Sequence, residues 1–284
     1  MIAWPDSLVA ELADRRCLIF MGAGASAGCV SATTPGSPPN WNDLLQKLAS
    51  QISDPTNLAF VTDLISKERY LDAAEIIKEN VAPGDFQRTM RAVFSAPDYV
   101  PSEMHKSIYD LDAKIVITTN YDQIYERYCG TFTGKPYYNT LQYFDSNVLD
   151  EIRTDGRLLL KAHGCISSID KVVLGRSSYF EAKRHHPGFY AILDALFLTN
   201  TILFLGASLT DPDVQLVLEN ATIAVPSDNK HFAVVPAGNH PSLVRSAERT
   251  YNITFLEYPV GNYADLDASL ADLAKKVNDY RNAP

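Results

Sequence analysis

The stretch CLIFMGAGASAG, residues 17–28, decides the fold. An apolar run from Cys17 to Met21 drops directly into Gly22-Ala23-Gly24-Ala25-Ser26. A short apolar run ended by glycine reads as a strand buried on both faces, followed by a tight turn into a helix start. Glycine at that turn lets a diphosphate approach backbone N–H groups, or simply ends a core strand. Gly28 makes the spacing G-x-G-x-x-x-G, one residue longer than the dinucleotide fingerprint, and no G-K-[ST] follows, which excludes a P-loop.

Similar apolar runs recur at 114–119 (KIVITT), 157–161 (RLLLK), 201–206 (TILFLG) and 231–235 (HFAVV), with a weaker one at 252–256 (NITFL). Helical stretches separate them: WNDLLQKLASQI at 41–52 with Asn40 as its cap, PSEMHKSIYDL at 101–111 opened by its proline, and DLDASLADLAKKVNDY at 265–280. DPDVQLVLENATIA at 211–224 adds another, capped by Asp211. The alternation predicts an α/β, Rossmann-like fold, a mainly parallel sheet with helices on both faces. One unit over residues 1–284 is expected. The long interval between the first two strands holds LISKERYLDAAEIIKEN and DFQRTMRAVF, so residues 53–105 are expected to form an inserted helical lobe. The aromatic, turn-rich interval 129–156 reads as a lid or partner loop.

Composition narrows the function. Lys and Arg number 25 against 34 Asp and Glu, a net charge of −9, which argues against direct nucleic-acid binding. The N-terminus lacks the features of a signal peptide, and FYAILDALFLTNTILFLGAS at 189–208 is interrupted by Asp194 and Asn200, so it reads as a helix running into a strand rather than a membrane span. Four cysteines, at 17, 29, 129 and 165, form no C-x-x-C pair and no zinc spacing. A cytoplasmic protein without membrane partners is expected.

In open α/β sheets ligands sit beyond the carboxyl ends of the strands. Four segments fall there: the glycine loop, Thr118-Thr119-Asn120-Tyr121-Asp122, Lys161-Ala162-His163-Gly164 and Gly206-Ala207-Ser208 with the residues after it. Phosphate cradle, amide, imidazole and carboxylate would share one crevice. Asp122 has a second reading as the cap of YDQIYERY, and Ser208 as a cap of the following helix. Of the other histidines, His105 reads as core, His185 and His186 as solvated, and His231 and His240 as structural.

G-A-G-A-S at 22–26, T-T-N-Y-D at 118–122, H-G at 163–164 and G-A-S-L at 206–209, the last continuing as GASLTDP in the manner of the prokaryotic members, together resemble the ordered motifs of the sirtuin family. The closer likeness is to its non-classical prokaryotic members, which act as NAD hydrolases in antiphage defence. Classical members are NAD-dependent protein deacylases with a zinc lobe of two C-x-x-C pairs and a P-D-F-R sequence after the glycine loop. Neither occurs here; SATTPGSPPNW stands at 31–41. The resemblance therefore implies NAD+ as substrate, no structural zinc, and cleavage of the nicotinamide–ribose bond to nicotinamide and ADP-ribose. Deacylation and a nucleotide-binding regulatory scaffold are the alternatives.

On that resemblance, Asn120 and His163 are the expected catalytic pair, the amide orienting water and ribose hydroxyls and the imidazole taking a proton. The dinucleotide is expected to be bound by Gly22, Ala23, Gly24 and Ser26 on one side and Gly206 and Ser208 on the other, with Asp122 accepting from the nicotinamide carboxamide or ordering its loop. The resemblance further implies a homo-oligomer regulated by a separately encoded partner, a HerA-type ring ATPase before a prokaryotic Argonaute.

Overall fold

Every residue from Cys17 to Met21 is buried, and the strand divides its side chains between two cores. Cys17, Ile19 and Met21 pack into one apolar cluster, Leu18 and Phe20 into another. The same alternation runs through Ile115–Thr118, Arg157–Lys161 and Thr201–Leu205, as the two-residue period of a strand covered on both faces requires. The structure is a computed structural model and describes residues 1–31, 33, 35–95, 97–132, 137–209, 212–224 and 228–283.

In chain order the strands are β1 (Cys17–Met21), β2 (Val30–Ser31), β3 (Tyr99–Val100), β4 (Ile115–Thr118), β5 (Tyr138–Gln142), β6 (Arg157–Lys161), β7 (Thr201–Leu205), β8 (His231–Pro236) and β9 (Ile253–Tyr258). Seven of them form a parallel sheet ordered β5-β6-β4-β1-β7-β8-β9, and β2 and β3 form a separate antiparallel ladder. Helices Asp6–Ala13, Glu103–Leu111 and Tyr263–Arg281 cover one face. Arg176–His185, Pro187–Thr199 and Pro212–Ala224 cover the other. The chain passes from β1 to β4, out to the edge at β5, back to β6 between β5 and β4, and then crosses to β7 on the other side of β1. That reversal is the switch point at which open α/β sheets place their ligands.

Between β2 and β3, helices Trp41–Ala49, Pro55–Ser66, Tyr70–Asn80 and Pro83–Phe94 share a third apolar core, including Leu45, Leu48, Val61, Ala74, Ile77 and Met90. Asn40 caps the first of them, its side chain accepting the Asp43 N–H at 2.9 Å. The stretch 64–80, read as helical, breaks at Glu68, whose left-handed φ of 57° separates helix Pro55–Ser66 from helix Tyr70–Asn80.

Two further expectations are corrected. The interval 129–156 is not wholly loop: it supplies edge strand β5 and the short helix Val148–Ile152. As an edge strand, β5 buries only Tyr138 and Leu141 and leaves Asn139, Thr140 and Gln142 half-exposed, so it lacks the continuous apolar signature of its inner neighbours. Pro101 does not open the helix after β3. Ser102 caps it, its Oγ accepting the His105 N–H, and Pro101 stands outside. The capping role expected of Asp211 falls outside the described residues.

His231, at the start of β8, accepts the Ile202 N–H on Nδ1 at 3.1 Å, and burial pushes its pKa down to about 4. Burial likewise holds the His105 pKa down to about 4, although the Asp122 carboxylate works in the opposite direction. An unfolded histidine titrates near about 6.5. Between those values the unfolded chain takes up protons that the folded chain refuses, so stability rises with pH across that window. The histidine contribution is therefore complete above about pH 6.5, declines as pH falls, and levels off near about pH 4. Urea unfolding at stepped pH should show this decline, and His231→Gln should flatten it.

Candidate active site

The loops after β1 and β7 cross in near contact. Register pairs Met21 with Leu205, so Gly22 and Gly206 are the first residues beyond the paired strands. The Gly22 N–H donates to the Leu205 carbonyl at 3.0 Å and the Gly24 N–H to the Gly206 carbonyl at 2.8 Å. A Cβ on Gly22 would stand 2.5 Å from the Ala207 Cα, and one on Gly24 2.8 Å from the Gly206 Cα. The glycines thus serve first to let two loops touch. Two of the N–H groups expected to cradle a diphosphate are already engaged. Among the described residues, the Ala23 N–H has no protein acceptor.

Gly206 is the tightest point, with φ at +59° and its missing Cβ only 2.3 Å from the Ala25 nitrogen. A non-glycine residue in the left-handed region costs roughly 1–2 kcal/mol before any clash. Gly206→Ala should therefore lower the thermal midpoint, measured by calorimetric melting.

On the other side of β1, the Thr118 hydroxyl donates to the Met21 carbonyl at 2.8 Å and accepts the Asn120 N–H at 3.1 Å. This lock delivers Asn120, whose Nδ2 donates to the Gly22 carbonyl at 3.1 Å and to the Ser26 Oγ at 3.4 Å. Its Oδ1 is left without a protein donor among the described residues. Register also pairs Thr118 with Lys161, so Asn120 and His163 stand two residues beyond neighbouring strands β4 and β6. The His163 ring meets Tyr179 edge-on at 5.0 Å. Tyr121 packs against Phe94, its hydroxyl donating to the Val173 carbonyl at 2.7 Å.

Asp122 is buried and its carboxylate is engaged on both oxygens. Oδ2 accepts the Ser26 hydroxyl at 3.0 Å, and Oδ1 accepts the Ile124 N–H at 3.0 Å. It therefore orders its loop and the start of helix Ile124–Cys129. Its main-chain carbonyl accepts from Lys161, which the sequence offered as a strand end at the crevice without a role of its own. Burial alone would depress this ammonium; the Glu126 carboxylate 3.0 Å away, with smaller contributions from Cys165 and Asp122, carries its pKa above the usual lysine value.

One cavity of about 480 Å³ collects these groups. Gly22, Ala23, Gly24, Ser26, Asn120, Asp122, His163, Gly206 and Ser208 all line it, and Trp41, Tyr70 and Phe94 close it from the helical lobe. No lysine or arginine is among its described lining residues. Its size falls within the roughly 300–1,000 Å³ of small-molecule sites. Among the described residues, no group of three or more His, Cys, Asp or Glu side chains is placed to hold a metal ion, and all four cysteines are buried and unbridged. No described helix is long and apolar enough to cross a membrane.

A parallel sheet with an acid–amide–imidazole cavity at its switch point defines a Rossmann-like α/β protein. Within that class, the chain belongs to the SIR2-like domain family, which matches residues 114–256. It is similar to the NAD(+) hydrolase ThsA of Acinetobacter baumannii (strain 532279), with 26% identity over 266 residues, covering 91% of this chain and 50% of that protein. The NAD(+) hydrolase ThsA of Cytobacillus dafuensis is 27% identical over 78% of this chain and 41% of its own length. Defense-associated sirtuin 2 of Bacillus subtilis is 26% identical over 72% of this chain and 19% of its own. The chain thus spans about half the length, or less, of the curated relatives it matches.

Proposed function

We propose that this protein hydrolyses NAD+ at the bond between nicotinamide and ribose, releasing nicotinamide, ADP-ribose and a proton, and that it does so in antiphage defence. The observation that carries the reading is the delivery of Asn120 and His163, in register on adjacent strands, into the cavity walled by the glycine loop and the β7 loop. The similarity to proteins named NAD(+) hydrolase supports it.

Nicotinamide leaves as a neutral molecule from a cationic ring, so no acid is needed to protonate it. The demand falls instead on the positive charge that develops on the ribose, as in other glycosyl transfers. A cavity with no lysine or arginine among its described lining residues suits that charge. Asn120, held on the Gly22 carbonyl through Nδ2, presents Oδ1 to orient the attacking water or a ribose hydroxyl. His163 takes the proton that the water loses. With the Gly22 and Gly24 N–H groups engaged, the Ala23 N–H and Ser208 are assigned to the diphosphate, and Gly22, Gly24 and Gly206 shape its bed. Asp122 acts by ordering the loop that carries Asn120.

The test is incubation with NAD+, alone and with the product of a neighbouring gene such as a ring ATPase, following nicotinamide and ADP-ribose by chromatography. Equimolar release of the two supports hydrolysis. Release that requires an acylated peptide would transfer the site to deacylation, and NAD+ that binds but stays whole with the partner present would make it a scaffold.

A further inference from the structure

Lys161 ends β6 two residues before His163 and is 1% exposed. A lysine is almost never so buried without partners. It has two: Glu126 at 3.0 Å, and the main-chain carbonyl of Asp122, to which Nζ donates at 2.5 Å. The first settles its charge. The second bears on the site, because Asp122 is the middle of a continuous chain of hydrogen bonds. Its carboxylate accepts the Ser26 hydroxyl, and Ser26 in turn accepts the amide of Asn120.

Resting on the NAD+-cleavage reading, we infer that Lys161 is a positioning residue, which pins the Asp122 carbonyl and thereby holds, through the Asp122 carboxylate and Ser26, the Asn120 amide against the reacting sugar. A cation behind the site would by itself oppose positive charge on the ribose. Glu126 neutralises it in place, so the anchor acts without that penalty. An apolar pair of similar volume holds a fold as well as a buried ion pair does, or better. What an apolar pair lacks is a donor for the Asp122 carbonyl, and that difference separates positioning from mere packing.

The experiment uses the full chain carrying Lys161→Met with Glu126→Leu. The expected result is a folded protein whose kcat for nicotinamide release falls at least about tenfold, with KM for NAD+ changed far less, as loss of an interaction made only in the transition state requires. Amide exchange at Ile124, whose N–H rests on the Asp122 carboxylate, should quicken about tenfold or more. Wild-type kcat in the folded double variant overturns the inference. Should that variant not fold, Ser26→Ala cuts the same chain next to Asn120, and unchanged kcat there overturns it equally. A wild-type protein that never cleaves NAD+ defeats the proposed function instead. Ile124 exchange then decides the anchor alone, and unchanged exchange in the variant overturns it.

Discussion

Replacing His163 with alanine is expected to lower nicotinamide release by about 10²- to 10⁴-fold, the range that a positioned general base contributes. Binding of NAD+ should survive, because the loops after β1 and β7 proposed to bed the dinucleotide meet through main-chain contacts that do not involve His163. The fold should survive as well, since the main-chain carbonyl of His163 continues to accept the Val173 N–H when the ring's edge contact with Tyr179 is lost. Asn120→Ala is expected to cost about 10²- to 10³-fold, as loss of one preorganised polar group at a charge-developing centre does. The two losses should not add fully if, as proposed, both groups act on one water. Single-turnover release of nicotinamide, with circular dichroism as the control for folding, measures both. Turnover near wild type in His163→Ala would remove the imidazole from proton handling.

The parts of this site that were legible in the sequence were those written in consecutive residues. Inner parallel strands must be apolar on both faces, so β1, β4, β6 and β7 stand out as continuous runs, and the polar residues at their ends mark the cavity. β5 was missed because, at the sheet edge, it buries only Tyr138 and Leu141 and so shows no continuous apolar run. The reason for the glycines was only half legible. A loop of small residues is visible in the sequence, but the loop that crosses it lies about 180 residues later in the chain, and only the pairing of Met21 with Leu205 brings them together. Lys161 was hidden for the same reason. Its partner Glu126 lies 35 residues earlier in the chain, on a different element, and nothing local distinguishes a buried, paired lysine from the polar end of a strand.

Glu126→Ala is expected to destabilise the protein by about 3–5 kcal/mol, the usual consequence of leaving one member of a buried ion pair behind. Lys161 is 1% exposed and Glu126 only 14%, so neither end of the pair has the solvent that makes surface ion pairs nearly neutral in energy. With the carboxylate gone, the ammonium keeps the Asp122 carbonyl but loses the charge that holds its pKa up, and burial then favours the neutral amine. The lysine's contribution to the pH dependence of stability should consequently change sign, because in the wild type its raised pKa makes stability fall as pH rises through that value. Once the folded pKa is depressed below that of the unfolded chain, the unfolded state binds the extra proton as pH falls, and stability drops with decreasing pH through the interval between the two values. Glu126→Gln, which retains an acceptor for Nζ without its charge, should be milder in magnitude but show the same sign. Urea unfolding from pH 6 to 10 on both variants checks the prediction, and a midpoint for Glu126→Ala equal to wild type across that range would mean that the ion pair contributes nothing to holding this corner of the site together.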